Sequence, residues 1–320
     1  SERIERVVFG TYLQFLTDER EYYLTDQALK RGQPPNIRLA TSNGVRIGVP
    51  AVRTDTTTIF IHKNGGNIVE FVYSDAEQNY VGTNISVLSS SLLKGVRDLA
   101  FRGAVDADDA GALHVVNADG SMRVFDMLKS QDIPAAPGRF ETDGLIRSVA
   151  VNGRDEVLIG VDRPVTAGTI QCLERISSTV PLDAWVRVTG APTLSVTGLW
   201  QHEGRVVWAI ADGIPFGPFT VTGGAITLQE AASDIYVGRW TPTDVRTLPV
   251  PKEVGEKTVV DRPVRPHTVR CNLLDTSSIA IGSETDGPFD VDLVSFGGLA
   301  DGALRAPPGR GEGWGEGVAG

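Results

Sequence analysis

The chain is poor in the residues that most often carry chemistry. Its 320 residues hold two cysteines, Cys172 and Cys271, two methionines and four histidines. Neither cysteine stands in a CxxC frame and no Cys/His cluster accompanies them, so cysteine-bound metal is not expected. Both read as small buried thiols on strands, and their spacing leaves open whether they pair. The histidines, His62, His114, His202 and His267, are scattered outside any HExxH frame and read as structural. Basic residues are outnumbered, 30 Lys and Arg against 40 Asp and Glu, for a formal charge of −10. That balance argues against gripping a phosphate backbone as the main task, which needs clustered Lys and Arg. No apolar run reaches the roughly eighteen residues of a membrane-spanning helix, and no charged-then-apolar leader marks a signal peptide.

Motifs for catalysis are equally scarce. There is no GxSxG and no P-loop lysine, and no Ser, His and Asp are singled out as a triad. The C-terminal run GRGEGWGEG has the glycine density of a nucleotide loop but follows no strand and opens no helix, so it reads as a flexible tail. Two acidic groups could supply a carboxylate pair or a calcium site: Asp106, Asp108 and Asp109, and Glu141 with Asp143. The first lacks the glycine and terminal glutamate of an EF-hand, and a solvated loop is the default for both. No catalytic, cofactor-binding or metal-binding residue is assigned, no cofactor is expected, and the chain is read as a non-enzyme.

What the chain has is strands and turns. Its 36 glycines and 18 prolines, with 41% hydrophobic and 22% charged residues, fit a turn-rich all-β protein with ample core. The stretch Glu141 to Ile176 reads as three successive strands: Leu145 to Val151, Glu156 to Val161 and Thr169 to Ile176. Asn152-Gly153 and Pro/Gly clusters punctuate them, the pattern of an antiparallel meander. Two earlier stretches repeat the layout. In one, Thr57 to Ile61 turns at Lys63-Asn64-Gly65-Gly66 into Ile68 to Tyr73. In the other, Leu113 to Val116 turns at Asn117-Ala118-Asp119-Gly120 into Met122 to Leu128. The turn glycines Gly65, Gly120 and Gly168 lie 55 and then 48 residues apart. Four strands every ~40–50 residues mark propeller blades, although evenly spaced hairpins of a sandwich give a similar pattern. Elsewhere, Asp26 to Arg31 could form a helical turn, and Asn79 to Lys94 is ambiguous, with a short helix near Leu92.

Composition changes after Ser177. Pro181 to Trp185 and Gly190-Ala191-Pro192 read as a connector, and a compact β unit begins at Leu194. Its short runs end at Ile235 to Arg239, with Ala231-Ala232-Ser233 as one of its turns. Trp200 and Trp208 fall in strand patterns and read as core. Val264 to Leu274 and Ser278 to Gly282 read as strands returning to the first part. The expected division is therefore residues 1–184 as propeller-like blades, 185–250 as a small barrel or sandwich module, and 251–320 as return strands with a Gly/Pro-rich end. The start at Ser1 and the Gly/Pro-rich end suggest a piece of a longer polypeptide, or a processed one.

The order of these segments resembles the tail hub, or nozzle, proteins of short-tailed phages, also known as packaged-DNA stabilisation proteins. The likeness begins at Tyr22-Tyr23-Leu24-Thr25, Asn36-Ile37-Arg38 and the Asn43-Gly44 turn. It runs through Val49-Pro50-Ala51-Val52 into TTIFIHKNGGNIVEFVYS, then VRDLAFRG, GALHVVNADGSMRVFDML, ETDGLIRSVAVNGRDEVLIGVDR and GTIQCLERI. The later LSVTGLWQHEGRVVWAIADG, TVTGGAITL and IYVGRW resemble the small β module that many such proteins insert. That module is compared in fold, and not in chemistry, with a β half-domain of ubiquitin-activating enzymes. The likeness covers most of residues 10 to 285, rests on strand and turn patterns, and carries over no catalytic residue. His62-Lys63 departs from a more basic family turn, and the family's N-terminal blades and distal end have no counterpart here.

The resemblance implies a structural subunit of a virion tail, a ring of copies, sixfold by family analogy, around the DNA exit channel. It would contact an adaptor or portal-side protein and tail fibres or a needle, with double-stranded DNA passing unbound and no membrane segment. Two other functions stay open. One is a surface propeller binding glycans or a protein through aromatics such as Trp185, Trp200, Trp208, Trp240 or Trp314. The other is a propeller glycoside hydrolase using carboxylates such as Asp108 and Asp143.

Overall fold

A computed structural model describes residues 2–26, 31–54, 57–104, 110–128, 133–177, 179–241, 252–254, 257–259, 269–272, 279–283, 287–291 and 314–317. The protein is all-β, built from several antiparallel sheets. Its named helical segments are short 3-10 turns at Val87–Leu92 and Trp200–His202. No helix among the described residues is long and apolar enough to cross a membrane. The expected helical turn at 26–31 and the acidic loop at 106–109 fall largely or wholly outside the described residues.

The chain divides into two compact units, Ser1–Ile176 and Ser177–Gly320. The first is a run of sheets taken strictly in chain order. β1 (Ile4–Phe9), β2 (Leu13–Thr17), β3 (Glu21–Leu24) and β4 (Ile37–Thr41) form the first sheet. β5 (Val52–Arg53), β6 (Thr58–Ile61), β7 (Ile68–Ser74) and β8 (Asn79–Asn84) form the second. β9 (Asp98–Arg102), β10 (Gly111–Val116), β11 (Met122–Leu128) and β12 (Ile133–Phe140) form the third. β13 (Leu145–Val151), β14 (Val157–Val165) and β15 (Gly168–Arg175) form a three-stranded fourth. Each is an up-and-down meander, because short turn-forming loops can only join antiparallel neighbours.

Consecutive sheets pack face to face, since each strand alternates its side chains between two faces and an apolar face is buried against a neighbouring sheet. Between the first and second sheets lie Leu16, Tyr23, Phe60, Val69, Phe71 and Tyr80. The rings of Phe71 and Tyr80 stack there at 4.7 Å, and Tyr23 meets Tyr80 edge-on at 5.2 Å. The opposite face of the second sheet sends Ile59, Ile61 and Ile68 against Leu99, Leu113, Val115, Phe125 and Met127 of the third. The third in turn packs Ala100, Val116 and Met122 against Ile146, Val149, Val157, Ile159 and Val161 of the fourth.

A repeated hydrogen bond fixes this stacking. In each of the first three sheets the turn from second to third strand offers a carbonyl to the chain entering the next sheet. The Thr17 carbonyl accepts from the Val45 N–H (2.9 Å), that of Gly65 from Val96 (3.1 Å), and that of Gly120 from Ile146 (2.9 Å). Val45, Val96 and Ile146 are all buried, so each bond seats an apolar anchor at intervals of about fifty residues. Gly65 and Gly120 have positive φ, 76° and 82°, a conformation that costs glycine little and other residues more. A Cβ on Gly120 would stand 2.9 Å from the Cβ of Leu145. Gly168 occupies the corresponding turn of the fourth sheet, so the three turn glycines do share a strand position.

The second unit contains a four-stranded sheet of order β16 (Asp183–Thr197), β19 (Ala225–Arg239), β17 (Val206–Ala211) and β18 (Ile214–Thr220). Two expected breaks are absent. The supposed connector around Gly190-Ala191-Pro192 lies inside β16, and Ala231-Ala232-Ser233 lies inside β19. The pairing between these 15-residue strands shifts at Thr189/Thr193 and again at Thr193/Ser195. Pro192 has no N–H to give the ladder, so the strand bulges there instead of ending. The bulged sheet encloses Val196, Val207, Ala209, Ile226, Leu228, Ile235 and Val237 without closing into a barrel. Farther along, β20 (Lys252–Val254) pairs with β21 (Lys257–Val259), and β23 (Ile279–Ser283) with β24 (Gly287–Val291). β22 (Val269–Asn272) pairs with β25 (Trp314–Gly317), which lies inside the glycine-rich run read as a tail.

Candidate assembly surfaces

The residues marked by the sequence as possible chemistry are spread through the fold. His62 directly follows the second strand of its sheet, and its Nδ1 accepts the Asn64 N–H at 3.2 Å inside the turn. His202 is buried, and its Nε2 lies 3.0 Å from the Ala184 carbonyl oxygen, which can only accept, so this nitrogen carries the proton. Ala184 has a left-handed φ of 51°, and His202 holds that strained bend. His114 is buried on the side of β10 that faces the fourth sheet, opposite Ala100 and Val124. Burial pushes its pKa below the ordinary histidine value, against the raising effect of a hydrogen bond to the Ala112 backbone. Charging it would place a cation in a desolvated site near Arg102, a cost that Asp126 offsets only in part. His267 lies outside the described residues.

Glu141 and Asp143 are exposed in the loop before β13. The backbone carbonyl of Asp143 accepts from Arg163 Nη1 at 2.8 Å. Arg163 is itself buried, and its Nε donates to Glu174 Oε1 at 2.9 Å. This buried arginine escaped the sequence reading because VDRPV resembles a strand end. Glu21 escaped it too: wholly buried, it accepts from the Thr41 hydroxyl and the Asn43 N–H. Among the described residues no group of three or more His, Cys, Asp or Glu could hold a metal ion. Cys172 is a free, half-buried thiol, and burial raises its pKa, so it is a poor nucleophile. Cys271 lies on β22 and pairs through its backbone with Gly315 of β25.

Three of the tryptophans pack together in the second unit. Trp208 is buried with Leu182, against which Trp185 and Trp240 pack. Trp208 meets Trp240 edge-on at 5.5 Å, and Trp185 meets Tyr236 at 5.4 Å. Arg187 covers the Tyr236 ring at 5.2 Å while gripping both oxygens of Asp234. Trp200, expected in the core, stands 62% exposed because it falls on a 3-10 turn and not in a strand. Trp314 opens β25.

Two sheets of the first unit carry exposed apolar side chains. On the first sheet, Val7 opposes Phe15, Phe15 opposes Tyr22 and Tyr22 opposes Leu39, forming a row across all four strands. Phe9 opposes Leu13 beside it, and Ile37 lies two residues from Leu39. Val7, Phe9, Ile37 and Leu39 are exposed, Phe9 at 68%. Each of these strands carries two bulky apolar residues at i and i+2, a signal present in the sequence. The alternate positions, Leu16 and Tyr23, are the ones buried against the second sheet.

On the fourth sheet the outward row Ser148–Gly160–Leu173 adjoins Ala150–Leu158–Arg175. Leu173 there is 77% exposed. A third apolar feature is the 3-10 turn between the second and third sheets, where Val87 and Leu88 project, Leu88 at 98% exposure.

No protein-family model matches the chain, and no curated protein matches it. Among solved structures, human WBSCR16 is similar at 15% identity over 56% of this chain and 53% of its own, with a TM-score of 0.30. A luciferin-regenerating enzyme is similar at 8% identity over 74% of this chain and 78% of its own, with a TM-score of 0.34. The chain thus spans about half the length of WBSCR16, and likenesses this remote carry no functional argument.

Proposed function

We propose that the chain is a structural subunit of a short-tailed phage's tail hub, a rigid β scaffold that assembles with further copies around the DNA exit channel. The observation that carries it is the succession of face-packed meanders in Ser1–Ile176, followed by a separate small β unit, the segment order on which the family resemblance rests. Three interleaved apolar layers make such a stack stiff. A net charge of −10 suits a wall past which a polyanion slides without sticking. The exposed apolar side chains of the first and fourth sheets suit subunit contacts, and Val87 and Leu88 suit attachment of a neighbouring tail protein.

The test is immunogold labelling of purified short-tailed particles that encode this chain. Label confined to the tail vertex is the expected result. Particles without label, with the protein left in the soluble lysate, would overturn the proposal.

A further inference from the structure

We infer that Asn43 is a site of spontaneous covalent modification, losing its side-chain nitrogen as ammonia, and that this reaction loosens the joint between the first two sheets. The chain holds three Asn-Gly pairs, Asn43-Gly44, Asn64-Gly65 and Asn152-Gly153. In each, the glycine nitrogen can attack the asparagine Cγ, because glycine has no Cβ to hinder the approach. The C–N bond that forms closes a five-membered succinimide. The side-chain nitrogen leaves as ammonia, carrying away the proton that the glycine nitrogen gives up. Water then opens the ring at one of its two carbonyls, leaving aspartate or, with one more carbon in the backbone, isoaspartate. The step needs a free glycine N–H and a side-chain amide that can turn toward it.

Two of the pairs are restrained. The Gly65 N–H donates to the His62 carbonyl at 2.8 Å, and Asn64 Oδ1 accepts the Gly66 N–H at 2.9 Å. Asn152 is held at both ends of its amide. Its Nδ2 donates to Glu156 Oε2 at 2.7 Å, and its Oδ1 accepts the Arg154 and Glu156 N–H groups at 2.9 and 3.0 Å. Asn43 differs. Among the described residues neither its side chain nor the Gly44 N–H makes a hydrogen bond. Neither atom of its amide is buried without a partner, so solvent reaches both. The product lands at a crowded place. The Asn43 N–H donates to Oε2 of the wholly buried Glu21 at 3.1 Å, and Glu21 Oε1 has no partner. A carboxylate at position 43 sets a second acid beside Glu21. Gly44 follows, so close to the Asp18 carbonyl oxygen that a Cβ would stand 2.5 Å from it. Next comes the Val45 N–H, which makes the joint bond to Thr17. The extra backbone carbon of isoaspartate has no room there and shifts Val45 from its seat.

The experiment follows the full chain by peptide mass spectrometry during storage in mildly alkaline buffer, both folded and in urea. In urea the three pairs are expected to react at similar rates, since no fold restrains them. In the folded chain Asn43 is expected to convert on the order of tenfold faster than Asn64 or Asn152, the scale of the one or two hydrogen bonds those sites must break. Conversion at Asn64 or Asn152 level with or ahead of Asn43 would overturn the inference. So would a folded chain in which no pair converts while the urea sample does. An equal lead for Asn43 in urea would assign the difference to sequence and overturn it too. Asn43→Asp is expected to melt below Asn64→Asp, whose change falls in an exposed turn, and equal melting would overturn the loosening. Should Asn43→Asp fail to fold, stored wild type melting below fresh wild type gives the same reading, and unchanged melting after conversion overturns it.

Discussion

Single residues in this fold act mostly as struts, and two of them give sharp expectations. Asn117 is wholly buried and satisfies its whole amide group. Its Nδ2 donates to the Leu92 carbonyl and the Ser121 hydroxyl, both at 3.0 Å, and its Oδ1 accepts the Lys94 N–H at 2.9 Å. Asn117→Ala therefore leaves the part-buried Leu92 carbonyl and Lys94 N–H without these partners, and urea denaturation should show a loss of about 1–3 kcal/mol. His114 couples stability to pH. Its folded pKa lies below the ordinary value of 6.5, so the unfolded chain binds its proton first. The stability it supports is present above pH ~6.5 and declines as pH falls from there toward the folded pKa. Removing it by His114→Leu should shift the difference in melting temperature between variant and wild type in the variant's favour on going from pH 7.5 to 5.5. A difference that does not change with pH would contradict this. Asp119, Glu156 and Asp234, held low by their hydrogen bonds, act only in the more acidic range.

At the scale of elements, the turn that ends each second strand is the joint between sheets. Gly120→Val places a β-branched residue at a φ of 82° and drives its Cβ into Leu145. It should destabilise by several kcal/mol, on the order of the larger single-site effects. Gly153→Ala, in the β13–β14 turn with open space around it, should change stability by less than ~1 kcal/mol. Thermal melts of the two variants side by side check the contrast.

The hairpins were legible in the sequence for the reason that makes them stable: β-branched alternation flanking Asn, Asp and Gly. The long strands β16 and β19 were not, because Pro192 reads as a break wherever the chain lacks a partner that tolerates a bulge. The exposed apolar side chains of the first sheet were present in the i, i+2 pairs of β1–β4 but unreadable as a surface. Strands such as EYYL carry bulky residues on both faces, and which face is covered depends on the neighbouring sheet. The buried partners Glu21 and Arg163 were hidden for a related reason, since charged residues read as solvent-facing until their acceptors and donors are brought near.

At the scale of the whole molecule, each unit has its own core. All five tryptophans, Trp185, Trp200, Trp208, Trp240 and Trp314, belong to the second, which gives it a private fluorescence signal. Phe71 is fully buried between the first and second sheets, and Phe71→Ala should cost the first unit about 3–5 kcal/mol. The transition seen by circular dichroism should move while the tryptophan transition stays in place. A common shift of both would show that the units unfold as one.

The central claim, that this stack of sheets exists to build a larger closed structure, is tested most directly by cryo-electron microscopy of the purified chain at high concentration. The account predicts closed rings of identical subunits around a central opening. Fields of isolated 34.2 kDa particles, without rings at any concentration, would contradict it.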